Sequence, residues 1–100
     1  MRLTPQQIQI ITDVVTRLVG ATAEAYLYGS RLNEQARGGD IDILIETDRR
    51  VSRIAQGRIQ MELENRLGLP VDLLIHVRSE KPTPFQVIAR LQAARLETPQ

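Results

Sequence analysis

Residues 40–46, Asp-Ile-Asp-Ile-Leu-Ile-Glu, restrict this chain more than any other stretch. Ile41, Ile43 and Ile45 alternate with Asp42 and Leu44, a period of two that fits a strand with one apolar face. The same period places Asp40 and Asp42 on one side of that strand, roughly 6–7 Å apart. Two carboxylates at that spacing repel by about 2–3 kcal/mol at an effective dielectric of about 20. A divalent cation is the simplest compensation. Upstream of Asp40, with nine residues between, stands the small pair Gly29-Ser30.

The flanking sequence supplies a scaffold. Thr4-Pro5 is a helix start, with Thr at the N-cap and Pro at the first helical position. Ile8, Ile11, Val15 and Leu18 follow at helical spacing and Gly20 stops the helix. Ala23–Tyr28 predicts a first strand, 30–36 a short helix opened by Ser30, and Ile41–Glu46 a second strand. Val51–Leu67 predicts a longer helix with Val51, Ile54, Ala55, Ile59, Leu63 and Leu67 facing inward, weakened at Gly57 and capped by Gly68. Pro70–His76 predicts a third strand with Val71, Leu73 and Ile75 on one face and Asp72 and Leu74 on the other. Thr83-Pro84 repeats the first helix-start signal. Phe85, Val87, Ile88, Leu91 and Leu96 then support a last helix packed on the sheet. The expected order is α-β-α-β-α-β-α, an α/β or α+β fold with helices packed on a sheet.

One hundred residues fit a single domain, residues 1–100, with one two-layer core. The net charge of +1 gives no global attraction to nucleic acid or a membrane. Twelve of the thirteen cations are Arg, the side chain suited to fixed anion pairing. The absence of cysteine excludes disulfides, zinc–thiolate sites and a thiol nucleophile. The first residues, Met-Arg-Leu-Thr-Pro-Gln-Gln, have no apolar signal core, and no run approaches the roughly 20 apolar residues of a membrane span. A cytoplasmic location is expected. Three aromatic residues are too few for a base-stacking platform.

Asp40, Asp42 and Asp72 each lie at or in a strand whose other face is apolar. If the second and third strands are neighbours, the three carboxylates converge. Hard oxygen ligands of this kind suit Mg²⁺ or Mn²⁺. Two such ions about 4 Å apart would clamp both oxygens of an in-line phosphoryl displacement. Gly29-Ser30, a glycine at a strand end before a serine that opens a helix, is an anion site by the same logic. Gly38-Gly39 allows close backbone approach to whatever Asp40 binds.

Gly29-Ser30, a nine-residue spacer, Asp40-Ile41-Asp42 and then Asp72 in Pro-Val-Asp-Leu-Leu resemble the motif of the DNA polymerase beta nucleotidyltransferase superfamily, most closely its minimal, MNT-type members. The resemblance covers roughly residues 4–96. It implies a mixed, palm-like sheet and transfer of NMP from an NTP, ATP being the expected nucleotide, onto an acceptor hydroxyl. It implies that Asp40 and Asp42 hold both metals, and that Asp72 binds the catalytic metal and helps deprotonate the acceptor. Gly29 and Ser30 would take the β- and γ-phosphates, with Arg31 and Gly39 beside them. It also implies a second chain completing the site, a HEPN-type helical protein or another copy of this one. The pairing expected is an antitoxin that nucleotidylates a HEPN toxin.

Blander readings accompany each of these. The aspartates could pair with Arg31, Arg37 or Arg78, and Gly29-Ser30 could be a turn with a Ser N-cap. Arg31, Arg37, Arg49, Arg50 and Arg53 surround the site in sequence, where any could meet a triphosphate or an RNA acceptor, though a solvated role suits each singly. His76 has no His or Cys companion and is read as structural or exposed. Tyr26 and Tyr28 share one face and are read as packing. The competing functional reading is a non-catalytic module that holds a nucleotide or neutralises a partner by contact.

Overall fold

The computed structural model describes residues 3–28 and 41–96. Their order is α1 (Pro5–Leu18), β1 (Glu24–Tyr28), β2 (Ile41–Thr47), α2 (Arg53–Leu67), β3 (Val71–Val77), α3 (Pro84–Leu91) and β4 (Ala94–Leu96). The strands form one mixed sheet in the order β3-β2-β1-β4. β1 is antiparallel to β2 and to β4, whereas β2 and β3 are parallel and joined through α2, the long crossover that a parallel pair requires. The short helix expected over 30–36 lies outside the described residues.

Both helices that open on Thr-Pro start where the sequence places them. Thr4 and Thr83 each accept a hydrogen bond from the amide three residues on, and Gln7 and Gln86 reach back to the cap amide. Each box satisfies two helix-end donors. α2 ends at Gly68, whose φ of 72° is the left-handed conformation glycine adopts without penalty.

α1 and α2 cover one face of the sheet. The core there joins Ile11, Val14 and Val15 of α1, Ile59 and Leu63 of α2, and Ile41, Ile43, Ile45, Ala25, Leu27 and Val71 of the strands. Arg17 pairs with Glu62, and Arg66 with Asp13, tying the two helices together at their solvent edge. Ile54 departs from its expected inward position and is 82% exposed. At about 100° per residue it stands opposite Leu63, so the helix cannot bury both against one sheet.

The other face carries a smaller core of Tyr26, Tyr28, Leu44 and Ala89, with Leu74 and Ala93 against it. α3 lies here, shorter than expected and turned over. Ala89 and part of Gln86 meet the sheet, whereas Phe85, Val87, Ile88 and Leu91 are exposed. Leu96 belongs to β4 rather than to the last helix: Ala94–Leu96 pairs with Ala25–Leu27 on the edge of β1. Nothing local in Ala-Arg-Leu specifies a strand. The free edge of β1 supplies the hydrogen-bond partners.

Candidate active site

The sheet register builds a row of three side chains at one end of the open face. Asp42 pairs with Asp72 across the parallel ladder and with Tyr28 across the antiparallel one. Adjacent strands lie about 4.8 Å apart, so the two carboxylates flank each other. Next along the sheet comes a row of Leu74, Leu44 and Tyr26, then one of His76, Glu46 and Glu24. The period-two reading of β2 and β3 is therefore realised, and the parallel pairing, which the sequence leaves open, sets Asp42 opposite Asp72.

The start of β3 is held from two directions. The Val71 amide donates to Glu64 Oε2 at 2.9 Å, and Gln60 Nε2 donates to the Val71 carbonyl at 3.0 Å. The Ile41 amide donates to the Pro70 carbonyl at 2.9 Å. These bonds fix the register one residue before Asp72. Neither Gln60 nor Glu64 carries a signal in the sequence that marks this role, because both bonds depend on how α2 folds back over the start of β3.

Tyr28, Asp42, Asp72, Leu73, Leu74, Phe85, Ile88, Ala89 and Gln92 line a cleft of about 490 Å³. Tyr28 stacks edge-on against Phe85, with ring centroids 6.2 Å apart. Burial pushes the Tyr28 phenol above its ordinary pKa, and the negative charges of Asp42 and Asp72 push it the same way. It therefore faces the carboxylates as a protonated hydroxyl. The sequence favours a packing role for Tyr28; its place in the aspartate row follows only from the β1–β2 register.

Asp40, Gly29, Ser30, Arg31, Arg37 and Gly39 lie outside the described residues. The chain leaves β1 at Tyr28 and enters β2 at Ile41, so both attachment points of that segment sit at the Asp42–Asp72 end of the sheet. Among the described residues, no cluster of three or more His, Cys, Asp or Glu side chains forms. What the structure contributes is a pair of hard oxygen donors side by side, a donor set that suits Mg²⁺ or Mn²⁺ rather than a soft metal.

The arginines divide. Arg78 does not pair with Asp42 or Asp72; it donates to Asp48 and Glu24 and to the Thr22 carbonyl, clamping the opposite end of the sheet. Arg49, Arg50 and Arg53 follow the far end of β2 from Asp42, and Arg50 pairs with Glu80. Their nearness to the site is in sequence only. His76 is structural, as expected: Nδ1 lies 2.6 Å from Glu46 Oε2, and Nε2 lies 2.8 Å from the Glu80 carbonyl oxygen.

The model of the nucleotidyltransferase domain family matches residues 8–96. The chain belongs to that family. No curated protein matches it in sequence. Among solved structures it is similar to a chain of the complex between a tri-AMPylated HEPN toxin of Shewanella oneidensis and MNT antitoxin, at 25% identity and a TM-score of 0.70, over 94% of this chain and 72% of that one. It is equally similar to a toxin–antitoxin structure with AMP-PNP, at 25% identity and a TM-score of 0.72, over 98% and 76% of the two chains. The MntA–HepT toxin–antitoxin structure, at 21% identity and a TM-score of 0.70 over 94% and 72%, shares the fold. The mixed sheet, the paired strands β2 and β3 and the flanking helices are thus the nucleotidyltransferase architecture. Among the described residues, no helix is long and apolar enough to cross a membrane.

Proposed function

We propose that this chain moves the AMP portion of ATP onto a hydroxyl of a HEPN-type partner protein, as the antitoxin half of a toxin–antitoxin pair. The observation that carries the reading is the Asp42–Asp72 register at the sheet end to which the Gly29-Ser30 and Asp40 segment is tethered, in a chain of the nucleotidyltransferase family. The similar complexes, one with an AMPylated HEPN toxin and one with AMP-PNP, support ATP as the nucleotide and a HEPN protein as the acceptor.

Asp40, Asp42 and Asp72 are the residues that would hold Mg²⁺ or Mn²⁺, two ions in all. Bound there, the ions neutralise charge on the triphosphate and on the leaving group. Gly29, Ser30, Arg31 and Gly39 hold the phosphates. The acceptor oxygen bonds to the α-phosphorus as the bond from that phosphorus to the α–β bridging oxygen breaks. AMP passes to the acceptor, pyrophosphate leaves, and Asp72 takes the hydroxyl proton. Leu74, Phe85 and Ile88 give the cleft an apolar wall beside the carboxylates, so fixed charges contribute more than water to stabilising the reacting groups. Residues 1–100 act as a single catalytic domain, with the partner protein closing the site.

The test is transfer of label from α-³²P-ATP to the HEPN-domain protein of the same genome, with Mg²⁺ or Mn²⁺, by the wild type and by Asp42→Asn. Label on the partner from the wild type alone is expected. Full neutralisation of the partner by Asp42→Asn, without label, would replace the enzyme with a protein that acts by contact.

A further inference from the structure

α3 has eight residues, too few to keep helical form in water on its own, and Ala89 is its one buried side chain. Its seat on the sheet therefore depends on polar contacts. At about 100° per residue, Ala89 lies between two flanks of the helix. Phe85, Ile88 and Gln92 form one flank and line the cleft with Asp42 and Asp72. Gln86 and Arg90 form the other.

The second flank is a chain of polar bonds. Gln86 Nε2 donates to the Ile75 carbonyl at 3.3 Å. The Arg90 guanidinium lies over the Tyr26 ring, with Cζ 4.0 Å from the centroid, and donates to the Tyr26 hydroxyl at 3.1 Å. Its Nε stands 3.9 Å from Glu46 Oε1, while Glu46 Oε2 is held by His76 Nδ1 at 2.6 Å. Tyr26 belongs to β1 and Glu46 to β2, so one side chain of α3 spans two strands. Beneath this flank a gap of about 220 Å³ is lined in part by Glu46, His76, Gln86 and Arg90. Close packing does not hold the helix there; the bonds do. A planar guanidinium can stack on a ring while its edge meets a hydroxyl and a carboxylate, which a compact ammonium cannot do in one geometry.

We propose that Arg90 is a positioning residue: by holding Tyr26 and Glu46 it seats α3 on the sheet and so fixes the wall of Phe85, Ile88 and Gln92 beside Asp42 and Asp72. Without it the wall loosens and the nucleotide is held less tightly. The two carboxylates stay side by side, because the β2–β3 ladder that sets them does not involve α3. The inference rests on the transferase reading above for the ligand of the cleft, whereas the seating of α3 is measured without any ligand.

The experiment compares wild type, Arg90→Ala, Arg90→Lys and Tyr26→Phe. It measures amide hydrogen exchange along the free chain, binding of ATP with Mg²⁺, and label transfer to the HEPN-domain protein of the same genome. In Arg90→Ala, exchange of the α3 amides is expected to rise at least tenfold, with α2 and β2 unchanged. ATP binding should weaken at least fivefold, and KM for ATP should rise with kcat within about twofold of wild type. Tyr26→Phe keeps the ring and loses the hydroxyl, so it should show a smaller change of the same kind. Arg90→Lys keeps the charge beside Glu46 and should recover part of the loss. Weakened ATP binding in Arg90→Ala, with no transfer even by the wild type, would support the positioning role and sink the transferase reading. Transfer by the wild type, with α3 exchange or ATP binding unchanged in Arg90→Ala, would overturn the positioning role and leave the transferase standing. Faster exchange spread through α2 and β2 would make Arg90 a residue of general stability and overturn it too. No ATP binding by the wild type would overturn both readings.

Discussion

Asp42 and Asp72 stand in register on adjacent parallel strands, with Tyr28 completing the row from the antiparallel side. The pair comes from chain segments thirty residues apart, and α2 spans the interval. Replacing either carboxylate should therefore damage chemistry much more than folding. Asp42→Asn is expected to lower nucleotidyl transfer by about 100-fold or more, the scale seen when one preorganised electrostatic group is removed. Its melting temperature should stay within a few degrees of wild type. A variant that unfolds would instead make Asp42 a structural residue.

Glu64 holds the first amide of β3, next to Asp72. Glu64→Ala leaves that part-buried amide without its charged acceptor, which costs about 1–2 kcal/mol. Denaturant unfolding measures the loss. Transfer should fall with it, because the register of Asp72 loosens, and Glu64→Gln should recover part of both.

His76 sits between two acceptors, the Glu46 carboxylate and the Glu80 carbonyl, with Arg90 3.9 Å from the other Glu46 oxygen. Burial lowers the imidazole pKa, but the hydrogen bonds to Glu46 and to Glu80 and the charges of both residues outweigh it, so the folded pKa is raised. A raised pKa means that the folded state holds the proton more tightly. The stabilisation is complete below the unfolded value of about 6.5 and is lost as pH rises through the folded value. The melting-temperature gap between wild type and His76→Gln should be largest near pH 6 and shrink toward pH 9. A gap independent of pH would show that packing alone holds His76.

Ile59 and Ile54 occupy opposite sides of α2, the first 1% and the second 82% exposed. Ile59→Ala should cost about 2–5 kcal/mol through lost burial and a residual cavity. Ile54→Ala should change stability by no more than about 0.5 kcal/mol. Equal losses at the two positions would mean that a partner covers the outer face of α2 under the conditions of the measurement.

Much of this was legible in the residues. Thr4-Pro5, Thr83-Pro84 and Gly68 mark helix ends through local steric and hydrogen-bonding preferences, and all three helix boundaries follow them. The alternation in β2 and β3 gives which side chains share a face. Ile54 is expected inward for its apolar character, although helical periodicity already sets it opposite Leu63, and α2 turns only one of those sides to the sheet. Leu96 was assigned to the last helix because the edge of β1 that recruits it is some seventy residues away in the chain.

By itself, then, the sequence determined where α1, β1, β2, α2, β3 and the start of α3 lie, the faces of the strands and the motif of Gly29-Ser30, Asp40-Ile41-Asp42 and Asp72, all set by local periodicity and residue chemistry. Tertiary structure alone decided that β2 and β3 pair in parallel with Asp42 opposite Asp72, that Tyr28 joins them, and that α3 turns its larger side chains outward. Those outcomes depend on long-range hydrogen-bond register and on competition among faces for one core, and neither quantity is carried by any single stretch of the chain.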